Sequence, residues 1–187
     1  MLDFMVIALP RSGTTWAANW LITDATFCAH DPLWTVHYTD FDTAIKAKAG
    51  GRLAGISCTA IWRWPQWLAK HPARKLILHR DINEVRGALT AANIPLVERA
   101  AADQIAALDG RHIEWSDLFD PARAEKIWDW LTAGLPFDKA RHAELVQLKI
   151  EPQQNAVKRD LALNARIADE LGVRPVNQSM NLEIRVG

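Results

Sequence analysis

Residues 4–20 read FMVIALPRSGTTWAANW, and the fold turns on them. Residues 4–9 are an almost wholly apolar run, the length of one buried strand. Pro10 stops it. Arg11, Ser12, Gly13, Thr14 and Thr15 follow, and residues 16–22 read as the first turns of a helix. Strand, tight polar loop and helix start, in that order, aim unpaired N–H groups and the positive end of a helix dipole at one point, which suits an anion. Gly13 lets the main chain come close to such a ligand. Thr14 and Thr15 offer hydroxyls. Arg11 offers a planar, permanently charged fork that fits phosphate or sulfate oxygens.

The chain beyond this stretch reads as alternating strands and helices. A first helix spans about 13–22. Residues 25–29 form a short strand or extended segment that ends at His30-Asp31-Pro32. Pro32 keeps Asp31 out of helical geometry. If this strand runs parallel to the first, His30 and Asp31 lie at its carboxyl edge, where open α/β sheets bind ligands. Either an imidazole or a carboxylate there suits a general base for a hydroxyl. Alternation points the two to opposite faces, so one of them acts. Thr39 or Asp40 caps a helix to about 49, ended by Gly50-Gly51.

Residues 52–59 (RLAGISCT) and 75–79 (KLILH) are further core strands. Between them, 60–70 carries Trp62, Trp64 and Trp67. No basic run surrounds these rings, so they read as packing a helix onto the sheet rather than stacking bases. Asp81 caps the helix after the third strand, with Glu84 at capping-box spacing. A helix over 96–108 follows, then a strand over 112–115 (HIEW), with Ser116 or Asp117 as the next cap. Pro121 suits the first turn of a helix over 122–131. Residues 137–150 are partly helical and bring Arg141 and His142 as further site candidates. An amphipathic helix over 153–171 stops at Gly172, and 182–186 suits an edge strand.

The 187 residues suit one domain over 1–187. Lys plus Arg and Asp plus Glu balance at 22 each, so no global basic field points to nucleic acid. Cys28 and Cys58 make no metal-type pair, and no metal-ligand pattern appears. The thiols read as reduced, in a cytoplasmic protein. No signal peptide is visible, and no apolar run is long enough for a membrane. Apolar strands separated by helices predict an α/β fold with a mostly parallel sheet.

Residues 10–16, PRSGTTW, are not the G-x-x-x-x-G-K-[ST] motif, whose first glycine would fall at Ala8 and whose lysine at Thr14. They resemble the phosphosulfate loop of sulfotransferases, commonly P-[KR]-[ST]-G-T-[ST]-[WL]. The resemblance implies a three-layer P-loop fold of the kinase and sulfotransferase type. It also implies donor contacts from Pro10, Arg11, Ser12, Gly13, Thr14, Thr15 and Trp16. The donor would be 3′-phosphoadenosine 5′-phosphosulfate (PAPS). Arg80, at the end of a strand before Asp81, is similar to the second signature of that family and implies contact with the donor's 3′-phosphate. Ala88 stands where that signature carries serine, with Thr90 near it. HIEWSDL and the Gly134–Pro136 region look like later passages of the family, but its R-K-G segment has no counterpart.

The family commonly uses a histidine base, which points to His30. P-loop kinases acting on hydroxyls often use an aspartate after the first helix, which points to Asp31. Arg80 and Arg86, six apart, are similar to the arginines that neutralise charge in phosphoryl transfer. The compact chain also resembles phage P-loop kinases that phosphorylate 5-hydroxymethyluracil in DNA. That resemblance implies ATP with magnesium, modified DNA as acceptor and the tryptophans as a base-handling surface. Both resemblances imply transfer of a sulfuryl or phosphoryl group from an activated adenine nucleotide to a hydroxyl. A third reading is a nucleotide-binding protein without turnover.

Overall fold

The computed structural model describes residues 1–148 and 160–172. Five strands form one all-parallel sheet: β1 (Phe4–Ala8), β2 (Thr26–His30), β3 (Leu53–Cys58), β4 (Arg74–His79) and β5 (Arg111–Glu114). Their order across the sheet is β2-β3-β1-β4-β5. β1 is therefore central, and all five of its residues are buried. That is why its sequence is a continuous apolar run rather than an alternating one.

Helices cover both faces, which makes three layers of an α/β, P-loop-like fold. On one face lie α1 (Thr14–Trp20), α6 (Pro121–Thr132) and α7 (Lys139–Gln147). Phe4, Val6, Ala8, Leu76 and Leu78 meet Trp16, Trp20, Ile127, Trp128 and Leu131 there. The opposite face carries α2 (Phe41–Ala49), α3 (Pro65–Lys70), α4 (Ile82–Ala91), α5 (Ala100–Ala106) and α8 (Leu161–Glu170). Met5, Ile7, Ile56 and Ile77 pack there against Phe41, Ile45, Leu68, Val85 and Ile105. Among the described residues no helix is long and apolar enough to cross a membrane.

Local chemistry fixes the helix starts. Asp81 caps α4 by accepting from Asn83 N at 2.8 Å and Glu84 N at 3.1 Å. Glu84 does not complete the capping box; its carboxylate takes Arg80 Nε at 3.0 Å instead. Asp120 caps α6, with Pro121 in the first turn. Ser116 and Asp117 lie inside a 3-10 segment, Trp115–Phe119, rather than at a cap. The helix expected over 60–70 is two pieces, a 3-10 turn Ile61–Arg63 and α3. Pro65 separates them, because it forces Trp64 away from helical ψ. The helix expected over 96–108 is shorter, Ala100–Ala106. Of the helix expected over 153–171, α8 lies within the described residues, and the strand expected over 182–186 lies outside them.

The tryptophans mostly pack. Trp62 is buried and donates its Nε1 to the Thr59 carbonyl at 2.9 Å. Tyr38 meets Trp64 with its ring tilted, 4.8 Å between ring centres, and Trp67 edge-on at 5.6 Å.

At the far edge of the sheet His79 and His112 stack 5.0 Å apart, with Nε2 of His79 2.7 Å from Nδ1 of His112. His112 Nε2 lies 2.8 Å from the Leu108 carbonyl, which only accepts. The proton of His112 is therefore on Nε2, its Nδ1 accepts, and His79 Nε2–H donates. Burial, and secondarily the charge of His112, pushes the His79 pKa down; Glu114 opposes this. Below the lowered value both folded and unfolded chains hold the proton. Between it and the ordinary imidazole value, about 6.5, only the unfolded chain does, so stability rises with pH across that window and is complete above it. The melting temperature is accordingly expected to fall as pH drops from 7 to 5, and His79→Gln to flatten that part of the profile. An unchanged slope in the variant would assign the acid sensitivity elsewhere.

Candidate functional site

β1 sends its loop toward β2, whereas β4 sends its own toward β5. The crevice between their carboxyl ends is a topological switch point of the sheet, where such folds bind ligands. Residues 9–13 form the loop on one side of it, and Arg80 stands on the other. Arg11 and Gly13 both adopt left-handed backbone conformations, at φ 65° and 85°. Left-handed residues within a tight turn produce the concave row of N–H groups that binds anions. Ser12 between them is buried, and its Oγ is the one fully buried side-chain polar atom without a hydrogen bond among the described residues. An unpaired buried hydroxyl is costly and calls for a partner.

β2 delivers His30 to the start of α1. Its Nε2 is 3.2 Å from Thr15 Oγ1, 3.4 Å from Thr14 Oγ1 and 3.4 Å from Asp31 Oδ2. Its Nδ1 makes no hydrogen bond among the described residues. Asp31 is held differently. Its backbone is left-handed, at φ 41°, a conformation that costs a non-glycine residue about 1 kcal/mol or more. Its Oδ1 accepts from Thr59 N at 2.7 Å and from Thr59 Oγ1 at 2.9 Å. Behind it, burial and then the Asp31 charge push the Cys58 thiol far above its ordinary range, so that thiol stays neutral. β3 also ties down the helix start: Ser57 Oγ donates to the Thr14 carbonyl at 2.8 Å.

From β4, Arg80 donates Nη1 to the Arg11 carbonyl and Nε to Glu84. Its guanidinium lies 4.5 Å from the centre of the Trp115 ring, which follows β5. The same indole covers Gly13, where an added Cβ would meet Trp115 Cε3 at 3.6 Å.

Residues 11–15 follow β1; Arg80 reaches their loop from the β4 side, His30 reaches Thr14 and Thr15 from the β2 side, and Asp31 beside it is tied to Thr59. Pro10 opens the loop and is half-buried. Trp16 turns the other way, into the core, where its Nε1 donates to the Leu145 carbonyl at 3.1 Å. Arg86 bonds the Val97 carbonyl, on the connection between α4 and α5. Arg141 caps the carboxyl end of α1, reaching the carbonyls of Trp20 at 2.8 Å, Asn19 at 2.6 Å and Ile22 at 2.8 Å. His142 is buried against the Leu118 carbonyl at 2.8 Å. Ser57, Thr59 and Trp115 escaped the sequence reading. Ser57 and Thr59 lie at the end of β3 and Trp115 just after β5, and only the strand order shows that β3 lies beside β1 and β5 beside β4.

Comparison with family models, with curated proteins and with solved structures returned no match.

Proposed function

We propose that the protein is a P-loop transferase that moves a sulfuryl group from an activated adenine nucleotide, PAPS, to a hydroxyl acceptor. The observation that carries this reading is the imidazole of His30 set against the threonine hydroxyls of the anion loop, while Asp31 is bound to Thr59. Loop N–H groups and the Ser12 hydroxyl hold the donor's anionic end. Arg11 meets the negative charge that grows on the leaving oxygen. His30 keeps its proton on Nε2, facing Asp31 and Thr15, so the lone pair is on Nδ1. The acceptor's hydroxyl proton passes to Nδ1 as its oxygen bonds to sulfur. The bond from sulfur to the bridging oxygen breaks, and its electron pair leaves with 3′-phosphoadenosine 5′-phosphate. Positioning supplies most of the acceleration in such an in-line displacement.

A second reading is phosphoryl transfer from ATP, with a hydroxymethylated pyrimidine in DNA among the acceptors. It is favoured by the Thr15 hydroxyl and the Asp31 carboxylate flanking His30, since Mg²⁺ takes oxygen ligands of that kind. Two buried thiols accord with a cytoplasmic setting for either reading.

Thermal shift separates the readings. At about 100 times its dissociation constant, 3′-phosphoadenosine 5′-phosphate is expected to raise the melting temperature by about 5–10 °C, and ATP with magnesium by far less. The reverse order would replace the sulfuryl reading with the phosphoryl one. No shift with either would remove the transferase reading. A shift without turnover on any hydroxyl acceptor would leave a binding protein.

A further inference from the structure

The strained backbone of the loop has a support from far along the chain. Arg11 is a non-glycine residue in the left-handed region, and its carbonyl receives Nη1 of Arg80, 69 positions away in the chain. The guanidinium is itself fixed on three sides. Glu84 takes its Nε at 3.0 Å, the Trp115 ring lies 4.5 Å from its carbon, and the Arg11 carbonyl takes Nη1. Trp115 touches the loop as well, against Gly13. Two of its five N–H donors, one on Nε and one on Nη1, are committed within the protein, and the Trp115 ring holds the guanidinium in place.

We propose that Arg80 is a positioning residue: braced by Glu84 and Trp115, it holds the Arg11 carbonyl, and so keeps residues 11–13 in the concave form that takes an anion. The role assigned to the loop rests on the transferase reading above; the brace itself does not. Losing Arg80 frees Arg11 to relax toward negative φ, which turns the neighbouring N–H groups out of the concavity. The loss then falls on every anionic ligand alike, because the loop holds the group that all of them share. A residue that gripped a 3′-phosphate would instead matter only for nucleotides that carry one.

Three measurements on Arg80→Gln test this. Amide hydrogen exchange needs no ligand: exchange at Ser12 and Gly13 is expected to accelerate about tenfold or more, the loss expected for a charge-assisted hydrogen bond. Glu84→Ala, which removes only the Nε anchor, is expected to give a smaller acceleration at the same amides. In binding, Arg80→Gln should weaken inorganic pyrophosphate, ATP and 3′-phosphoadenosine 5′-phosphate by similar factors. In an Arg11→Gly background, where left-handed φ carries no strain, Arg80→Gln should change loop exchange by less than about twofold. Selective loss of 3′-phosphoadenosine 5′-phosphate, with loop exchange unchanged, would overturn the proposal and make Arg80 a ligand contact. Unchanged exchange and unchanged binding would overturn it too. If the wild-type protein binds none of the three probes, the transferase reading fails, while the exchange data still decide the brace.

Discussion

His30→Ala is expected to lower turnover by about 10²–10⁴-fold, the usual worth of a placed general base. Donor affinity should change little, because the loop amides, Ser12 and Arg11 remain. The alanine variant removes an imidazole that lies 3.2 Å from Thr15 and 3.4 Å from Asp31. Asp31→Asn makes the informative contrast. An asparagine oxygen can still accept both bonds from Thr59, so the strand end should hold its shape. What it loses is the negative charge that fixes the proton of His30 on Nε2. A drop smaller than that of His30→Ala is therefore expected, because the imidazole and its Thr15 contact remain. The measurements are single-turnover rates and nucleotide affinity for both variants, with 3′-phosphoadenosine 5′-phosphate as the binding probe. Intact turnover in His30→Ala with complete loss in Asp31→Asn would exchange the roles of the two residues. It would also shift the balance toward the phosphoryl reading, in which a carboxylate takes the proton.

Gly55→Ala carries the largest expected effect on stability. Gly55 sits in β3 directly opposite Phe4 of β1. A Cβ at this position would lie 2.1 Å from Phe4 Cε2 and 2.2 Å from Cδ2. Phe4 is fully buried in the central strand, so its ring has no open space to swing into. Overpacking of this kind costs about 3 kcal/mol, at the upper end of the usual range. For a domain of this size that corresponds to a fall of roughly 6–12 °C in melting temperature. Phe4→Leu in the same chain should recover part of the loss, giving a favourable coupling in a double-mutant cycle. Urea midpoints for the four proteins decide it. A Gly55→Ala variant within about 0.5 kcal/mol of wild type would show that the ring shifts cheaply.

What the sequence shows depends on how local the cause is. The passage from β1 through residues 9–13 to α1 is legible because an apolar run, a proline, a glycine and a helix start act within a few residues of each other. The ends of β2 and β4 are legible for the same reason: Pro32 and the Asp81 cap stop those elements where His30 and Arg80 stand. Boundaries fail where tertiary packing or a proline intrudes, as at Pro65 and at the late start of α5. Side-chain direction fails more often. Trp16 follows the loop in sequence, but helical periodicity turns it into the core beside Trp20 and Phe119. Arg86 and Arg141 carry the right charge for an anion site and serve main-chain carbonyls instead. The left-handed backbone of Arg11 and Asp31 is imposed from distant strands, by Arg80 and Thr59, and nothing near either residue in the chain announces it.

The placement of β1 has a consequence for biosynthesis. Both of its neighbours come later in the chain: residues 55–58 of β3 pair on one side and residues 74–78 of β4 on the other. This apolar strand therefore leaves the ribosome before either partner and waits unpaired while they are translated. During that interval it is a natural target for a chaperone that shields emerging hydrophobic segments. A nascent polypeptide arrested before residue 74 would already display PRSGTTW, yet lack both the second wall of the sheet and the guanidinium that shapes its loop.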